Sequence, residues 1–174
     1  MNHIYRDKKL LRKAQKIRVF LTDNDGVLTD GCVYSTAKGE ELTKYNMRDG
    51  MGIERLRDLV KIETVIVTKE SSGFTEARAK KLNIEHLYRG VTDKLEILTR
   101  VLNDFKVTEE NVAFMGDDVN DLKILEKVGL SACPADAMLP VQKIVDYQSQ
   151  YRGGHGAVRD FIEMIIFAQT ELNS

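Results

Sequence analysis

Cysteine is scarce: Cys32 and Cys133 are the only two in 174 residues. They lie far apart and in no metal-ligand spacing, which excludes a disulfide-stapled fold and a cysteine zinc site and suits a reducing cytoplasm. An excess of charge of one sign is also missing. Lys and Arg number 26 against 27 Asp and Glu, for a formal charge of -1. A dedicated nucleic-acid binder would carry a basic excess, so that class is excluded. The stretch from Arg6 to Lys16 is locally basic and reads as the wet face of a helix. No apolar run is long enough to cross a bilayer, and the N-terminus has no apolar core of an export signal. Linkers, low-complexity tracts and internal repeats are absent as well. With 43% apolar residues, the chain is expected to make one domain, 1–174, with a substantial core. The expected location is the cytoplasm, with no nucleic-acid and no membrane partner.

What is present is an alternation of short apolar runs and helical patterns. A leading helix is expected over 4–16, then a buried strand ending at Thr22. Cys32 to Ser35 and Glu41 to Tyr45, around a glycine-bearing turn, read as a hairpin. A helix follows from Asp49 to Leu59, with Asp49 as N-cap and Met51, Ile53 or Leu56, and Leu59 with Val60 as its apolar stripe. Strands are expected at 64–68, 84–87, 112–115, 130–133 and 144–146. Helices are expected at 72–82, 93–102, 116–127 and 157–172. Strands alternating with helices predict an α/β, doubly wound parallel sheet.

The chemistry concentrates where the first strand stops, at Asp23-Asn24-Asp25-Gly26. In open α/β sheets the ligand crevice lies at the carboxyl ends of the strands. Two carboxylates two residues apart on an extended backbone project to the same side and can share one metal or one substrate. A plain Asp-Gly turn is the bland alternative. A calcium loop is excluded, because its sixth and twelfth positions require Gly and Glu and here hold Leu28 and Tyr34. Three more features fall after predicted strands. Thr68 could be a helix cap, Lys94 a solvated lysine, and Gly116-Asp117-Asp118 a turn with acids at a helix start.

Asp23-Asn24-Asp25-Gly26-Val27-Leu28-Thr29-Asp30-Gly31 resembles motif I of the haloacid dehalogenase superfamily of phosphohydrolases. Its T-D-G extension is similar to the cap-less branch that dephosphorylates 3-deoxy-2-keto sugar acid phosphates. Thr68 matches motif II, Lys94 motif III, and Gly116-Asp117-Asp118-Val119-Asn120-Asp121 motif IV. The resemblance runs from Ile17 to the last helix. It implies a Rossmann-like core with a hairpin flap and no cap, and a phosphatase requiring Mg²⁺. Asp23 is then the nucleophile, Asp25 the acid and base, and Thr68 and Lys94 the anchors of the phosphoryl oxygens. Asp23, the Asp25 carbonyl and Asp117 are the implied metal ligands. Asp118 orders metal-bound water or Lys94 from behind, and Asp121 caps or supports.

The same resemblance implies a homotetramer joined through the hairpin, and Asn46 to Gly50 as a substrate-side loop. Glu70, with Arg78 and Lys81 on one helix face, is expected to meet the sugar acid. Glu70 and Lys81 favour a nine-carbon, sialic-acid-type 9-phosphate over 3-deoxy-D-manno-octulosonate 8-phosphate. His155 is expected to be a tail residue without a catalytic role. Two positions depart from the pattern. Asn24 replaces an apolar residue and is expected to point away harmlessly; Lys69 replaces glycine and adds a cation. Two other classes stay open: a hydrolase of another small phosphate ester, and a non-catalytic assembly domain like that attached to sialic-acid cytidylyltransferases. The intact Asp23 and Asp25 pair disfavours the latter.

Overall fold

The strand Val19–Thr22 (β1) is buried at every residue. Its alternation explains why one apolar run serves two cores. Phe20 packs with Phe161, Ile53 and Leu56 on one side, while Val19 and Leu21 face Ile97, Leu98 and Val101 on the other. A strand covered on both faces has no wet side, hence the unbroken hydrophobic sequence. The computed structural model describes residues 7–171. Residues 4–6 of the expected leading helix and Leu172 of the expected last one lie outside the described residues.

In chain order, α1 (Lys8–Gln15) precedes β1, and the hairpin β2 (Thr29–Thr36) and β3 (Gly39–Tyr45) follows it. Next come α2 (Met47–Val60), β4 (Glu63–Val67), α3 (Gly73–Lys81), β5 (His86–Tyr88) and α4 (Lys94–Phe105). The last part holds β6 (Val112–Met115), α5 (Leu122–Leu125), β7 (Leu130–Cys133), α6 (Leu139–Gln142), β8 (Tyr147–Gln148) and α7 (Ala157–Thr170). The main sheet has six strands in the order β5-β4-β1-β6-β7-β8, all paired in parallel. The fold is thus α/β and doubly wound. The chain leaves β1 to one side for β4 and later to the other for β6, so β1 ends at the crevice where the winding reverses. Among the described residues, no helix is long and apolar enough to cross a membrane.

Several local expectations shift. The last strand is Tyr147–Gln148 rather than 144–146, and Ile144 is 39% exposed. The expected helix at 116–127 is a short 3-10 turn, Val119–Asp121, running into α5. In α2, Ile53 and Leu56 face inward as expected, but Met51 and Leu59 are about half exposed and Gly50 and Gly52 are buried in their place. Gly52 decides this phase. A Cβ there would sit 3.2 Å from the Arg159 backbone, so α2 and α7 approach more closely than a larger residue permits.

Asp49 is not the N-cap of α2; Asn46 is, accepting from the Arg48 N–H at 2.8 Å. Asp49 is fully buried and accepts instead from Gly156 N at 3.2 Å and Arg159 N at 2.8 Å. Gly156, the residue before α7, has no side chain to offer its N–H groups. Asp49 caps α7 from the neighbouring helix. Asp49→Ala orphans both N–H groups, and urea unfolding should show a loss of about 2 kcal/mol. An unchanged midpoint would show that water replaces the cap at no cost.

Candidate active site

The site begins with backbone. Asp23 N–H donates to Met115 O at 2.9 Å, carrying the β1–β6 ladder one residue past the strand. Asn24 O then accepts from Leu28 and Thr29 N–H, both at 2.9 Å, and closes a tight turn. Gly26 takes φ +78° in that turn, and a Cβ there would lie 2.1 Å from Asp117 Oδ2. The β1 and β6 loops therefore touch at the one residue that has no side chain. Together they line a cavity of about 480 Å³ with Asp23, Asp25, Gly31, Lys69, Glu70, Asp117, Asp118 and Asn120.

Beneath the cavity, Lys94 is wedged between two acids. Its Nζ lies 2.7 Å from Asp23 Oδ2 and 2.6 Å from Asp121 Oδ1, and the Lys94 side chain is 3% exposed. Burial opposes the ammonium charge, but Asp23 and Asp121 outweigh it and raise the Lys94 pKa. Burial pushes Asp23 up to about 7 despite Lys94. It pushes Asp117 up to about 8, reinforced by Asp23 and Asp121. Three acids against one lysine leave excess negative charge in a poorly hydrated place, which a cation relieves. The carboxylates of Asp23, Asp117 and Asp121 come within 4.8 Å of one another. Such an all-oxygen set fits Mg²⁺, a hard cation.

The expected residues fall into three groups. Asp23, Asp25, Lys94 and Asp117 are brought together. Thr68 lies beside them but turns to Asp25: its hydroxyl donates to Asp25 Oδ2 at 3.0 Å and accepts from Glu70 N–H at 3.0 Å. A hydroxyl has one proton, so Thr68 serves Asp25 or a phosphoryl oxygen at one time, not both. Neither does Thr68 cap a helix, since Ser72 is the residue before α3.

Asp118 is exposed and accepts from Val119 N–H at 2.6 Å. The lysine contact expected of it belongs to Asp121, which also accepts from Asp117 N–H at 3.0 Å. Four residues after Asp117, across a tight turn, Asp121 points back under its own loop. Asn120, also at the cavity, was not anticipated, and Asn24, expected to point away from the site, is instead buried with its Nδ2 donating to Asp25 Oδ1 at 2.8 Å, because the tight turn ends the strand alternation there. The signal for Asn24 was its polarity directly between two acids.

The substrate residues separate. Glu70 lines the cavity, with Oε1 accepting from Ser71 and Ser72 N–H at 2.7 and 3.1 Å. Arg78 does not share a face with Lys81. Arg78 is buried, donates to Asn46 O at 2.9 Å and lies over the Tyr45 ring, whereas Lys81 is exposed. Arg78 thus ties α3 to the start of α2 rather than facing the cavity. His155 sits before α7, its Nδ1 2.7 Å from Gly153 O. It belongs to a hydrogen-bonded loop, not a tail.

With that geometry in hand, the chain can be compared with known proteins. Residues 47–162 match the model of the haloacid dehalogenase-like hydrolases. The 3-deoxy-D-manno-octulosonate 8-phosphate phosphatase of Escherichia coli K12 is 40% identical over 164 residues, 94% of this chain and 87% of that one. The structure of a Yersinia pestis phosphatase of the same name superposes with a TM-score of 0.90 at 36% identity, covering 96% of this chain and 90% of the other. Its Moraxella catarrhalis counterpart, solved with magnesium, phosphate and the octulosonate, gives 0.89 at 32% identity, covering 99% and 95%. The chain therefore belongs to the cap-less haloacid dehalogenase-like hydrolases and is a phosphoric monoester hydrolase whose cofactor is Mg²⁺.

Proposed function

We propose that the chain hydrolyses 3-deoxy-D-manno-octulosonate 8-phosphate through a phosphorylated Asp23. The observation that carries the chemistry is the buried Lys94 between Asp23 and Asp121, where Asp23 also lines a cavity with Asp25 and Asp117. The likeness to octulosonate 8-phosphate phosphatases supports the substrate.

A phosphate monoester dianion repels an anionic nucleophile. Asp23, Asp117 and the Asp25 main-chain carbonyl would hold Mg²⁺, which would supply the charge neutralisation that lets the two approach. Lys94 adds a fixed positive charge at Asp23 Oδ2. Asp121 keeps that ammonium in place, so it does not swing away as the substrate arrives.

An Asp23 carboxylate oxygen attacks phosphorus while the bond from phosphorus to the sugar oxygen breaks. Asp25, acting as the acid, gives a proton to the departing oxygen. Water then attacks phosphorus, Asp25 takes the water proton, and the bond to Asp23 breaks to release phosphate. Atoms balance: one ester and one water give one alcohol and one phosphate. Thr68 turns its proton to the phosphoryl group when that group is present. Asp118 borders the cavity and fixes the loop that carries Asp117.

At the substrate end, Glu70 and Lys69 stand at the cavity wall. Buried Arg78 offers no guanidinium to a distant carboxylate, which removes one leg of the nine-carbon expectation. Glu70 and the exposed Lys81 remain as its support. The two substrates are compared by kcat/KM, side by side, in wild type and Glu70→Ala. The proposal expects octulosonate 8-phosphate to be preferred by about tenfold or more. A preference for the nine-carbon 9-phosphate that collapses in Glu70→Ala would overturn it.

The assembly proposed is a homotetramer joined partly through the hairpin. Val33, Tyr34 and Leu42 on β2 and β3 are half or more exposed, as are Met47, Met51 and Leu59 on α2. Large side chains gathered on a protruding two-stranded sheet favour a covered surface. An enzyme without a cap also needs a neighbour to close its pocket. Sedimentation at micromolar concentration should give the tetramer; a monomer of full kcat/KM would refute both the assembly and its part in the site.

A further inference from the structure

Asp25 is exposed at the cavity, yet its carboxylate is gripped from behind on both oxygens. Thr68 donates to Oδ2 at 3.0 Å, and Asn24 Nδ2 donates to Oδ1 at 2.8 Å. The Asn24 amide is itself oriented, because the Tyr45 hydroxyl donates to Asn24 Oδ1 at 3.2 Å. With the oxygen claimed by Tyr45, the amide nitrogen faces Asp25. The main chain of Asn24 serves the other acid, its N–H donating to Asp23 Oδ1 at 2.7 Å. One buried residue, 1% exposed, thereby sets the positions of both carboxylates relative to each other.

Tyr45 is fixed in turn. It is the last residue of β3, and Arg78 Cζ lies 5.1 Å from its ring centroid. Arg78 is anchored to Asn46 O at 2.9 Å, so the stack cannot slide without breaking a partly buried hydrogen bond. Burial raises the Tyr45 pKa and keeps the phenol a donor.

We propose that Tyr45 and Asn24 form a positioning relay for Asp25, running from the base of the hairpin to the group that protonates the leaving oxygen. This rests on the reading of Asp25 as acid and base. The need for a relay follows from Thr68. When its single proton turns to the phosphoryl oxygens, Asp25 loses one of its two donors at the moment its aim matters. Asn24 Nδ2 is then the side-chain donor that remains on the carboxylate. A tyrosine at the end of β3 also makes the aim of Asp25 depend on how the hairpin is held. The Tyr45 hydroxyl and the Asn24 amide act on the acid, through Asp25 Oδ1, and not on the phosphoryl group that is transferred.

A positioning role is separable from a structural one by leaving group. An alkyl phosphate such as the sugar ester needs protonation as its oxygen departs; p-nitrophenyl phosphate does not. The measured quantity is kcat/KM, which reports steps up to the first irreversible one and so excludes later hydrolysis of the phosphoenzyme. Asn24→Val should lower kcat/KM for the sugar phosphate by about tenfold to a hundredfold. For p-nitrophenyl phosphate the loss should be under about threefold, since no proton transfer is lost. Tyr45→Phe, which deletes one hydroxyl from an otherwise unchanged ring, should show the same selectivity at smaller size. It should have no further effect once Asn24 is Val, because the relay is already broken.

Asp25→Asn in the same assay separates the two readings. Its sugar-phosphate kcat/KM should fall about a hundredfold or more, with a much smaller loss on p-nitrophenyl phosphate. If Asp25→Asn shows no dependence on leaving group, Asp25 is not the acid, and the reading of the site fails together with the relay. If Asp25→Asn shows it but Tyr45→Phe and Asn24→Val do not, the relay alone is wrong. Equal losses on both substrates, or additive effects of the two substitutions, would likewise make Asn24 and Tyr45 merely structural.

Discussion

The buried ammonium of Lys94 between Asp23 and Asp121 is the interaction on which the rest depends. It joins three separate elements: the end of β1, the loop after β6, and the first turn of α4. Lys94 opens α4, at the positive end of the helix dipole, where a cation is disfavoured by roughly 0.3–1 kcal/mol. Asp93 offsets part of this by capping Leu95 N–H at 3.1 Å. The two acids offset the remainder. Removing either would leave a buried charge without its full partners, at a cost of about 3–5 kcal/mol. The lysine is placed against local preference because the crevice needs a fixed positive charge there.

The rigid and the adaptable parts of the site come from different architecture. Asp23 and Asp117 follow directly from neighbouring central strands, β1 and β6, whose pairing fixes their separation. Glu70 and Lys69 stand on the loop after β4, exposed and held by that loop's own turn. The acid cluster thus sits at the ends of the sheet strands, while the residues at the open side of the cavity stand on a loop, the usual place for specificity. The hairpin belongs to both parts: its tip is exposed, and its base ends on Tyr45.

The sheet and most of the acid cluster were legible in the sequence, because both follow from short-range pattern. A strand buried on two faces must be an apolar run, and its end is marked where acids and glycine begin. Partnership was less legible. Asp49 looked like the cap of its own helix, and its partners Gly156 and Arg159 lie more than a hundred residues on. Arg78 and Lys81 sit three apart, but α3 turns the first onto Tyr45 and the second to solvent. Asp121 supports the loop as expected, but it also takes the Lys94 contact offered to Asp118, because a tight 3-10 turn, not a full helix, follows β6. The stripe of α2 was misplaced since the glycines at 50 and 52, not its large residues, make the close approach.

The central claim is that Asp23 carries the phosphoryl group. The direct measurement is to quench the enzyme during turnover of the sugar phosphate, reduce it with borohydride, and map the product by peptide mass spectrometry. An acyl phosphate on Asp23 is reduced to an alcohol, so residue 23 should be recovered as homoserine only when substrate was present. An unmodified Asp23 under conditions where phosphate release is confirmed, or homoserine at residue 25 or 117 instead, would contradict the account.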